Sequence, residues 1–217
     1  MYLTDQFFRK INYLRVSVTD RCDLRCVYCM KEKMTFLPKN EILTFEEIER
    51  LCDNFIELGV NKIRLTGGEP LVRKNIISLI KNLSNKLNTS NLKELTLTTN
   101  GTLLSKYSKQ LKDMGINRLN VSLDTLNYEK YNKITRFGDL NKVLDGIISA
   151  QKNNIAVKIN TVAIKNFNEN EIESILTWCS SNNLDISFIE VMPMSEADTA
   201  RHLQFVSLNK IYNQLNN

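Results

Sequence analysis

Three cysteines crowd into one short stretch of the sequence, with the spacing C-x₃-C-x₂-C: Cys22, Cys26 and Cys29. One loop with this spacing can place three thiolates around a single iron–sulfur cube. A [4Fe–4S] cluster usually takes four thiolates, so three leave one iron open to a ligand from outside the protein. The alternative is a structural zinc ion with His202 as its fourth ligand, although zinc sites are usually built from two separated ligand pairs.

The composition restricts the classes of protein to which the chain can belong. The chain has 217 residues, of which 42% are hydrophobic and 24% charged, with a net charge of +5. These values are typical of an ordinary globular protein, and the length favours one domain over residues 1–217. Five cysteines, three of them within the eight residues from Cys22 to Cys29, do not suit a secreted disulfide framework. The two others, Cys52 and Cys179, have apolar neighbours and are predicted to lie in the core.

The N-terminal residues lack the apolar segment of a signal peptide, and no apolar run is long enough to span a bilayer. We therefore expect a cytoplasmic protein.

Short β-branched runs alternate with helical stretches along the chain. The predicted strands are Asn12–Val18, Asn61–Thr66, Lys93–Thr98, Asn117–Leu123, Ile155–Val162 and Asp185–Val191. The predicted helices are Thr44–Leu58, Lys74–Leu87, Leu103–Met114, Tyr128–Asn153 with a break near Gly138, Glu169–Ser181 and Leu208–Leu215. Thr44 and Glu47 have the spacing of a capping box, and Asn168 precedes an acidic first turn as a candidate cap. Such alternation predicts an α/β fold with parallel strands.

Most of these strands have one polar face, which distinguishes between two types of α/β fold. Helices on both sides of a sheet require strands that are apolar on both faces. We therefore predict a partial (β/α)₆ barrel of the TIM type, with helices outside and a polar lumen. Arg15, Arg64 and Lys158 would face that lumen. They predict either an anionic ligand or internal ion pairs with carboxylates, for which the candidates are Glu69, Asp124 and Glu190.

The cysteine triplet resembles the signature of the radical S-adenosylmethionine (SAM) enzymes, in which the open iron of a [4Fe–4S] cluster binds SAM. The resemblance implies reductive cleavage of SAM to methionine and a 5′-deoxyadenosyl radical. Tyr28 matches the aromatic position beside the SAM adenine, and Gly67-Gly68-Glu69-Pro70 is similar to the segment that holds the SAM amino group. Adjacent glycines also let main chain approach a ligand closely.

Within that superfamily the chain resembles the GTP 3′,8-cyclases of molybdenum cofactor biosynthesis. The matching stretches are YLRVSVTDRCDLRCVYCM, IRLTGGEPLVR, LTTNG, LNVSLDTL, VKINTV and FIEVMP. The resemblance implies a lyase that binds GTP through Arg15, Arg64, Thr98 and Lys158, and SAM through Tyr28, Gly68, Glu69, Ser122 and Met192. These residues are predicted to lie near the carboxyl ends of strands, where parallel barrels build their sites.

The resemblance also implies partners and a missing part. A reductant, either a protein or a small molecule, would supply an electron, and a homodimer is the assembly to test; nucleic acids and membranes are not expected partners. The family carries three further cysteines that bind a second cluster, and this chain ends at Asn217 before any of them. The alternatives are a short radical SAM enzyme with another anionic or peptidyl substrate, or a fragment or binding module without turnover.

Overall fold

The computed structural model describes residues 3–192 and 203–215 of the chain. The strands are β1 (Tyr13–Ser17), β2 (Lys62–Thr66), β3 (Glu94–Thr99), β4 (Arg118–Ser122), β5 (Ala156–Ala163) and β6 (Asp185–Glu190). The helices are α1 (Phe45–Glu57), α2 (Ile76–Asn85), α3 (Leu104–Asp113), α4 (Tyr128–Thr135), α5 (Leu140–Lys152), α6 (Ile172–Ser181) and α7 (Leu208–Leu215). Short 3₁₀ turns cover Lys39–Glu41, Pro70–Val72 and Glu169–Glu171. The predicted break near Gly138 is confirmed as the gap between α4 and α5.

The strands form one six-stranded sheet in chain order, β1-β2-β3-β4-β5-β6, and every neighbouring pair is parallel. This arrangement confirms the predicted partial barrel of the TIM type. Among the described strands, β1 and β6 are the edges of the sheet. Within residues 3–192 and 203–215, none of the helices has the length and apolar character that crossing a bilayer requires.

The two faces of the sheet differ in the way that the sequence predicts. Outward-facing residues of the central strands are fully buried under the helices; Leu65, Leu97, Val121 and Ile159 are each 0% exposed. They belong to one large apolar core with residues of α1, α2, α3, α5 and α6. The alternation of the strands leaves polar side chains on the opposite, inner face. Burial of the outer face therefore fixes which side chains enter the lumen.

Strand register arranges the inner side chains in rows. Arg15 on β1 pairs with Arg64 on β2, which pairs with Thr96 on β3. One layer further along, Thr98 pairs with Asn120 of β4, and Asn120 pairs with Lys158 of β5. Since Arg15, Arg64 and Lys158 lie in the middle or first half of their strands, the expectation that they sit at the carboxyl ends is wrong. Side chains that face the lumen recur at every second residue of a strand, and each of these three cations is followed by at least one more such position before its strand ends.

The helix starts confirm one predicted cap and correct another. Thr44 and Glu47 form the reciprocal capping box at α1. Asn168 does stand at the start of the Glu169–Glu171 turn, but its side chain does not cap that turn: it is 0% exposed and joins distant loops instead. Its Oδ1 accepts from the backbone N–H of Ile164 at 2.7 Å, and its Nδ2 donates to the carbonyls of Asp124 and Val162 at 2.7 and 2.8 Å. Asn168 therefore holds the loop after β4 against the end of β5.

Replacing Asn168 by Ala should destabilise the protein by about 3 kcal/mol or more, because it strands one buried N–H and two carbonyls. Asn170, two residues away, is exposed and serves as the matched control. Urea unfolding should show a change within about 0.5 kcal/mol for Asn170→Ala. Equal losses of stability in the two variants would refute the bridging role of Asn168.

Candidate functional site

The loop that carries the three cysteines rests directly on the Gly67-Gly68 turn after β2. The backbone N–H of Gly68 donates to the carbonyl of Thr19 at 2.7 Å, and that of Glu69 donates to the carbonyl of Arg21 at 2.8 Å. A Cβ atom on Gly68 would lie 2.3 Å from the Arg21 carbonyl oxygen. In this structure the glycines therefore allow close packing of main chain on main chain beside Cys22.

The end of α4 holds the same loop from the other side. The N–H groups of Arg25 and Val27 donate to the carbonyls of Thr135 and Ile134 at 3.0 and 2.9 Å. Arg136, whose φ of 64° is unusual for a residue with a side chain, donates from its guanidinium to the carbonyls of Arg25 and Met30, both at 3.0 Å. The sequence pattern did not reveal this contact, since Arg136 lies 111 residues beyond Arg25.

The half-buried Tyr28 and the buried Asp124 form a hydrogen-bonded pair between the cysteine loop and the end of β4. The Tyr28 hydroxyl donates to Asp124 Oδ2 at 2.6 Å, and the backbone N–H of Val162 donates to Oδ1 at 2.8 Å. Asp124 is 5% exposed, and burial raises its pKa to about 6. Burial also raises the pKa of Tyr28 well above its ordinary value, with the nearby Asp124 charge adding to the effect. The pair anchors the position that the sequence predicts beside the SAM adenine.

The three loop cysteines are free thiols that lie close enough to influence one another. Burial raises the pKa of Cys22 to about 12. Burial also raises the pKa of Cys26 well above its ordinary value, and the charges of Asp124, Cys29 and Cys22 add to the effect. Cys29 is exposed. Cys52 and Cys179 are each 1% exposed within the core, as the sequence predicts.

The chemistry of this donor set fits an iron–sulfur cluster. Buried thiolates need positive charge nearby, and metal ions supply it. No three His, Cys, Asp or Glu side chains in the described ranges converge on a point suited to one metal ion. A [4Fe–4S] cluster makes a different demand, because each thiolate binds its own iron and the sulfur atoms stand apart. His202, the ligand of the zinc alternative, lies outside the described residues.

A polar network after β3 supports the cysteine loop and was not predicted. The Asn100 side-chain amide donates to Asp23 Oδ1 at 2.7 Å and to Cys22 Sγ at 3.7 Å. The Thr102 hydroxyl donates to Asp23 Oδ2 at 2.6 Å. Hydrogen bonds to a cysteine sulfur tune the metal centre that the sulfur binds. The only sequence signal was the position of Asn100 directly after a strand, in the LTTNG stretch.

Glu69 is 0% exposed and accepts hydrogen bonds within the protein. Its Oε1 accepts from the Leu71 N–H and the Thr99 hydroxyl, both at 2.9 Å, and its Oε2 accepts from the Asn100 N–H at 2.6 Å. Burial raises its pKa to about 7, against the opposing effect of these hydrogen bonds. Glu69 thus connects the glycine turn to the loop after β3. Its predicted contact with the SAM amino group stays a prediction.

In the described part of the chain, none of the three lumen cations forms an ion pair with Glu69, Asp124 or Glu190, the carboxylates that the sequence offered as candidates. Asp124 and Glu69 accept from neutral groups, and Glu190 accepts from the Leu208 N–H at 2.9 Å. Of the predicted GTP ligands, Arg64 donates to the Thr98 hydroxyl at 3.5 Å. No ion pair to Arg15 or Lys158 is present among the described residues. The alternative of internal ion pairs with those three carboxylates is therefore wrong for this part of the chain.

Arg64 is the most constrained of these cations. Burial lowers its pKa, and the neighbouring charges of Arg118 and Arg15 lower it further, against the effect of Tyr13. Its buried Nε lacks a hydrogen-bond partner. Arg118 at the start of β4 is partly balanced by Glu94 at 3.3 Å. The lumen therefore holds an excess of positive charge that a polyanion would neutralise.

The remaining predicted SAM ligands lie at the opposite, carboxyl end of the strands. Ser122 is the last residue of β4, beside the buried Asp124. Met192 follows β6 and is 56% exposed. Asn120, which the sequence did not single out, is 5% exposed on the inner face, and its Oδ1 has no hydrogen-bond partner. Its Nδ2 donates to Asn160 Oδ1 at 3.2 Å.

The sequence pattern that defines the radical SAM superfamily matches residues 16–179, which include the end of β1, the cysteine loop, the glycine turn and the whole of β2 to β5. The chain belongs to the radical SAM superfamily. The cofactors of this radical SAM protein are accordingly a [4Fe–4S] cluster and SAM, as predicted. Which residues hold each cofactor stays a prediction.

Sequence relatives refine the comparison. The chain is 56% identical over 209 residues to a GTP 3′,8-cyclase of Bradyrhizobium diazoefficiens, and equally similar to one of Brucella ovis. The match covers 96% of this chain and 61% of each relative. The radical SAM protein described here thus spans about three fifths of the length of these relatives.

Solved structures support the same fold at much lower identity. Streptococcus suis SuiB bound to S-adenosylmethionine superposes with a TM-score of 0.69 at 18% identity, over 94% of this chain and 47% of SuiB. The structure titled native anSMEcpe with bound AdoMet and Cp18Cys peptide gives 0.71 at 20% identity, over 94% of this chain and 58% of that protein. These similarities show that the partial barrel is a radical SAM fold.

Replacing Asp124 by Asn should remove a pH-dependent loss of stability in the cluster-free protein. Because the native pKa of Asp124 is about 6 and its ordinary value is 3.8, the folded state binds the proton more tightly. Its stabilising contribution is complete below about pH 4 and is lost as pH rises through about 6. The difference is on the order of 3 kcal/mol. Urea unfolding should therefore show wild type losing that much relative to Asp124→Asn between those limits, whereas a constant difference would contradict the assignment.

Replacing Gly68 by Ala should prevent cluster assembly, because the new methyl group would displace the backbone of Arg21. Gly115→Ala is the control: its φ of 79° makes the change costly, but the nearest atom is the flexible Leu87 Cδ1 at 3.2 Å, distant in sequence from the cysteine loop. After anaerobic reconstitution, iron and sulfide assays should show loss of most bound iron in Gly68→Ala only. Full iron content in Gly68→Ala would contradict the packing argument.

Proposed function

We propose that the chain is the SAM-binding part of a GTP 3′,8-cyclase. Two relatives at 56% identity carry that name. In this proposal the ribose C3′ of GTP loses a hydrogen atom, the C3′ radical bonds to C8 of guanine, and the resulting guanine radical gains one electron from the external reductant and one proton. The product is a cyclised nucleotide for molybdenum cofactor biosynthesis. The cluster and SAM, when bound, supply the 5′-deoxyadenosyl radical that removes this hydrogen.

The observation that carries the proposal is the excess of positive charge in the lumen, which Glu94 balances only in part. Arg64 is half-buried, crowded by Arg15 and Arg118, and left with an unpaired Nε. Across the sheet, Lys158 lies in register with Asn120. A nucleoside triphosphate offers several anionic oxygens, which guanidinium and ammonium groups bind by charge-assisted hydrogen bonds. Binding of the triphosphate would relieve the repulsion between the arginines.

The two ends of the lumen suit different parts of the reaction. Arg15, Arg64 and Lys158 lie in the lower and middle layers of the sheet, and Thr98 lies near the end of β3. The candidate SAM ligands Tyr28, Gly68, Glu69, Ser122 and Met192 lie at or beyond the carboxyl ends of their strands. GTP held from below would present its ribose toward SAM held at the mouth. Positioning of this kind supplies much of the rate enhancement in enzymes.

Replacing Lys158 by Ala should weaken GTP binding by about ten- to a hundredfold, because one charge-assisted contact is worth about 1.5–3 kcal/mol. SAM cleavage by the reduced, reconstituted protein should persist, since Lys158 lies away from the cysteine loop. Lys142→Ala, on the exposed face of α5, is the matched control and should leave GTP binding unchanged. Equilibrium binding of GTP and release of 5′-deoxyadenosine are the two measurements.

A substitution in the cysteine loop should instead affect SAM cleavage. Cys26→Ala should abolish cluster binding and SAM cleavage, because only two loop thiolates remain. GTP affinity that is equal in wild type, Lys158→Ala and Lys142→Ala would reject GTP recognition by the lumen. SAM cleavage by Cys26→Ala would instead reject the cluster assignment.

Other predictions from the sequence are carried forward as part of this proposal. They are a single domain over residues 1–217, a cytoplasmic location, an external reductant and a homodimer.

A further inference from the structure

A second cavity lies beside the cysteine loop and is absent from the account of GTP and SAM. Its volume is about 810 Å³, and it is bounded by the loop, the 3₁₀ turn at Lys39–Glu41 and the residues before α2. Four cations contribute to its lining: Arg21, Lys39, Arg73 and Lys74. Cys22 lines the same cavity. A group held by that cysteine would therefore lie close to a basic surface.

The positive charge of this cavity is ordered and lacks a direct counterion. The Arg73 guanidinium donates to the carbonyls of Val18 and Leu43 at 2.5 and 2.6 Å, and it packs 4.2 Å from the centre of the Phe45 ring. Arg21 similarly donates to the Leu37 carbonyl at 3.3 Å. These contacts fix the guanidiniums without neutralising them, and within the described ranges none of the four cations forms an ion pair.

The acidic lining residue offsets only part of this charge. Asp23 carries one negative charge against the four cations, and its carboxylate oxygens accept from Asn100 and Thr102 after β3 rather than from any of the four. Lys39 and Lys74 are exposed and make no side-chain hydrogen bond in the described part of the chain. The cavity thus attracts anionic groups from solution.

Apolar side chains accompany the cations. Leu37 is 49% exposed and Leu43 is 46% exposed, and their carbonyls are the groups that fix Arg21 and Arg73. Exposed leucines beside ordered arginines are typical of protein interfaces, which are enriched in arginine around an apolar centre. A free phosphate or small metabolite would leave these leucines in water. The combination therefore favours a protein with an acidic face.

We propose that this cavity and the neighbouring side chains of Leu37 and Leu43 form the docking face for an acidic one-electron donor protein. The donor's reduced flavin or iron–sulfur centre loses one electron, and the cluster held by Cys22, Cys26 and Cys29 gains it; no atom is transferred. Docking here places the donor next to Cys22, which suits electron transfer through that ligand. The inference rests on the proposed function only in requiring an external reductant, and it is independent of whether GTP is the substrate.

The test reverses charge at two exposed positions that touch neither cofactor site. Lys39→Glu with Lys74→Glu is compared with Lys109→Glu plus Lys142→Glu, two exposed lysines on α3 and α5, so that the net charge changes equally. Reduced flavodoxin, a small acidic flavoprotein, is the protein donor, and the methyl viologen radical cation is the small-molecule donor. Stopped-flow spectroscopy follows reduction of the reconstituted cluster, and binding of oxidised flavodoxin is measured with the cluster-free protein.

The site pair should slow reduction by flavodoxin about tenfold at low salt and weaken flavodoxin binding to a similar extent. The control pair should change either value by less than about twofold, and methyl viologen should reduce both variants as fast as wild type. Raising the salt concentration should slow wild type more than the site pair. Equal flavodoxin binding by the two pairs would overturn the proposal, whatever the reduction rates. Loss of GTP binding alone would leave these results unchanged, so the two proposals fail separately.

Discussion

Main chain packs against main chain at Gly68, and the seating of the cysteine loop on the turn after β2 depends on that contact. A side chain at this position would meet the Arg21 carbonyl at 2.3 Å, so the cysteine loop can settle only because no Cβ is present. The same turn delivers Glu69, whose buried carboxylate then fixes the loop after β3. One close approach therefore joins the ends of three neighbouring strands into a single supporting surface.

The loop is secured on its other side by groups that come from far along the chain. The end of α4 supplies carbonyls and the Arg136 guanidinium, and Asp124 accepts from Tyr28. Burial makes these polar contacts strong and also costly to leave unsatisfied. The structure thus holds the cysteine loop in place before any metal arrives, and the raised pKa values of Cys22 and Cys26 describe a site that favours a cationic partner. The lumen below has the opposite need, since its crowded arginines favour an anion.

Much of the fold follows from local patterns, which is why the sequence could predict it. The period of apolar residues in Leu65, Leu97 and Val121 determines the outer face of the sheet, and the Thr44 capping box needs only residues within one turn. The cysteine spacing likewise predicts a cluster from three neighbouring residues. Asn168 shows the limit: its position before an acidic turn suggested a cap, yet its partners lie in other loops and bury it completely. The hydrogen bonds of Asn100 and of the Arg136 guanidinium could not be predicted for the same reason, because their partners are distant in sequence.

The cluster is the central claim, and a variant with Cys52 and Cys179 both replaced by Ser tests it most directly, since only the three loop cysteines remain. Iron and sulfide analysis after anaerobic reconstitution should give about four irons per chain, as expected for a [4Fe–4S] centre. The electron paramagnetic resonance signal of the reduced centre should change when SAM is added. A single bound metal ion, or a signal that SAM leaves untouched, would contradict the account.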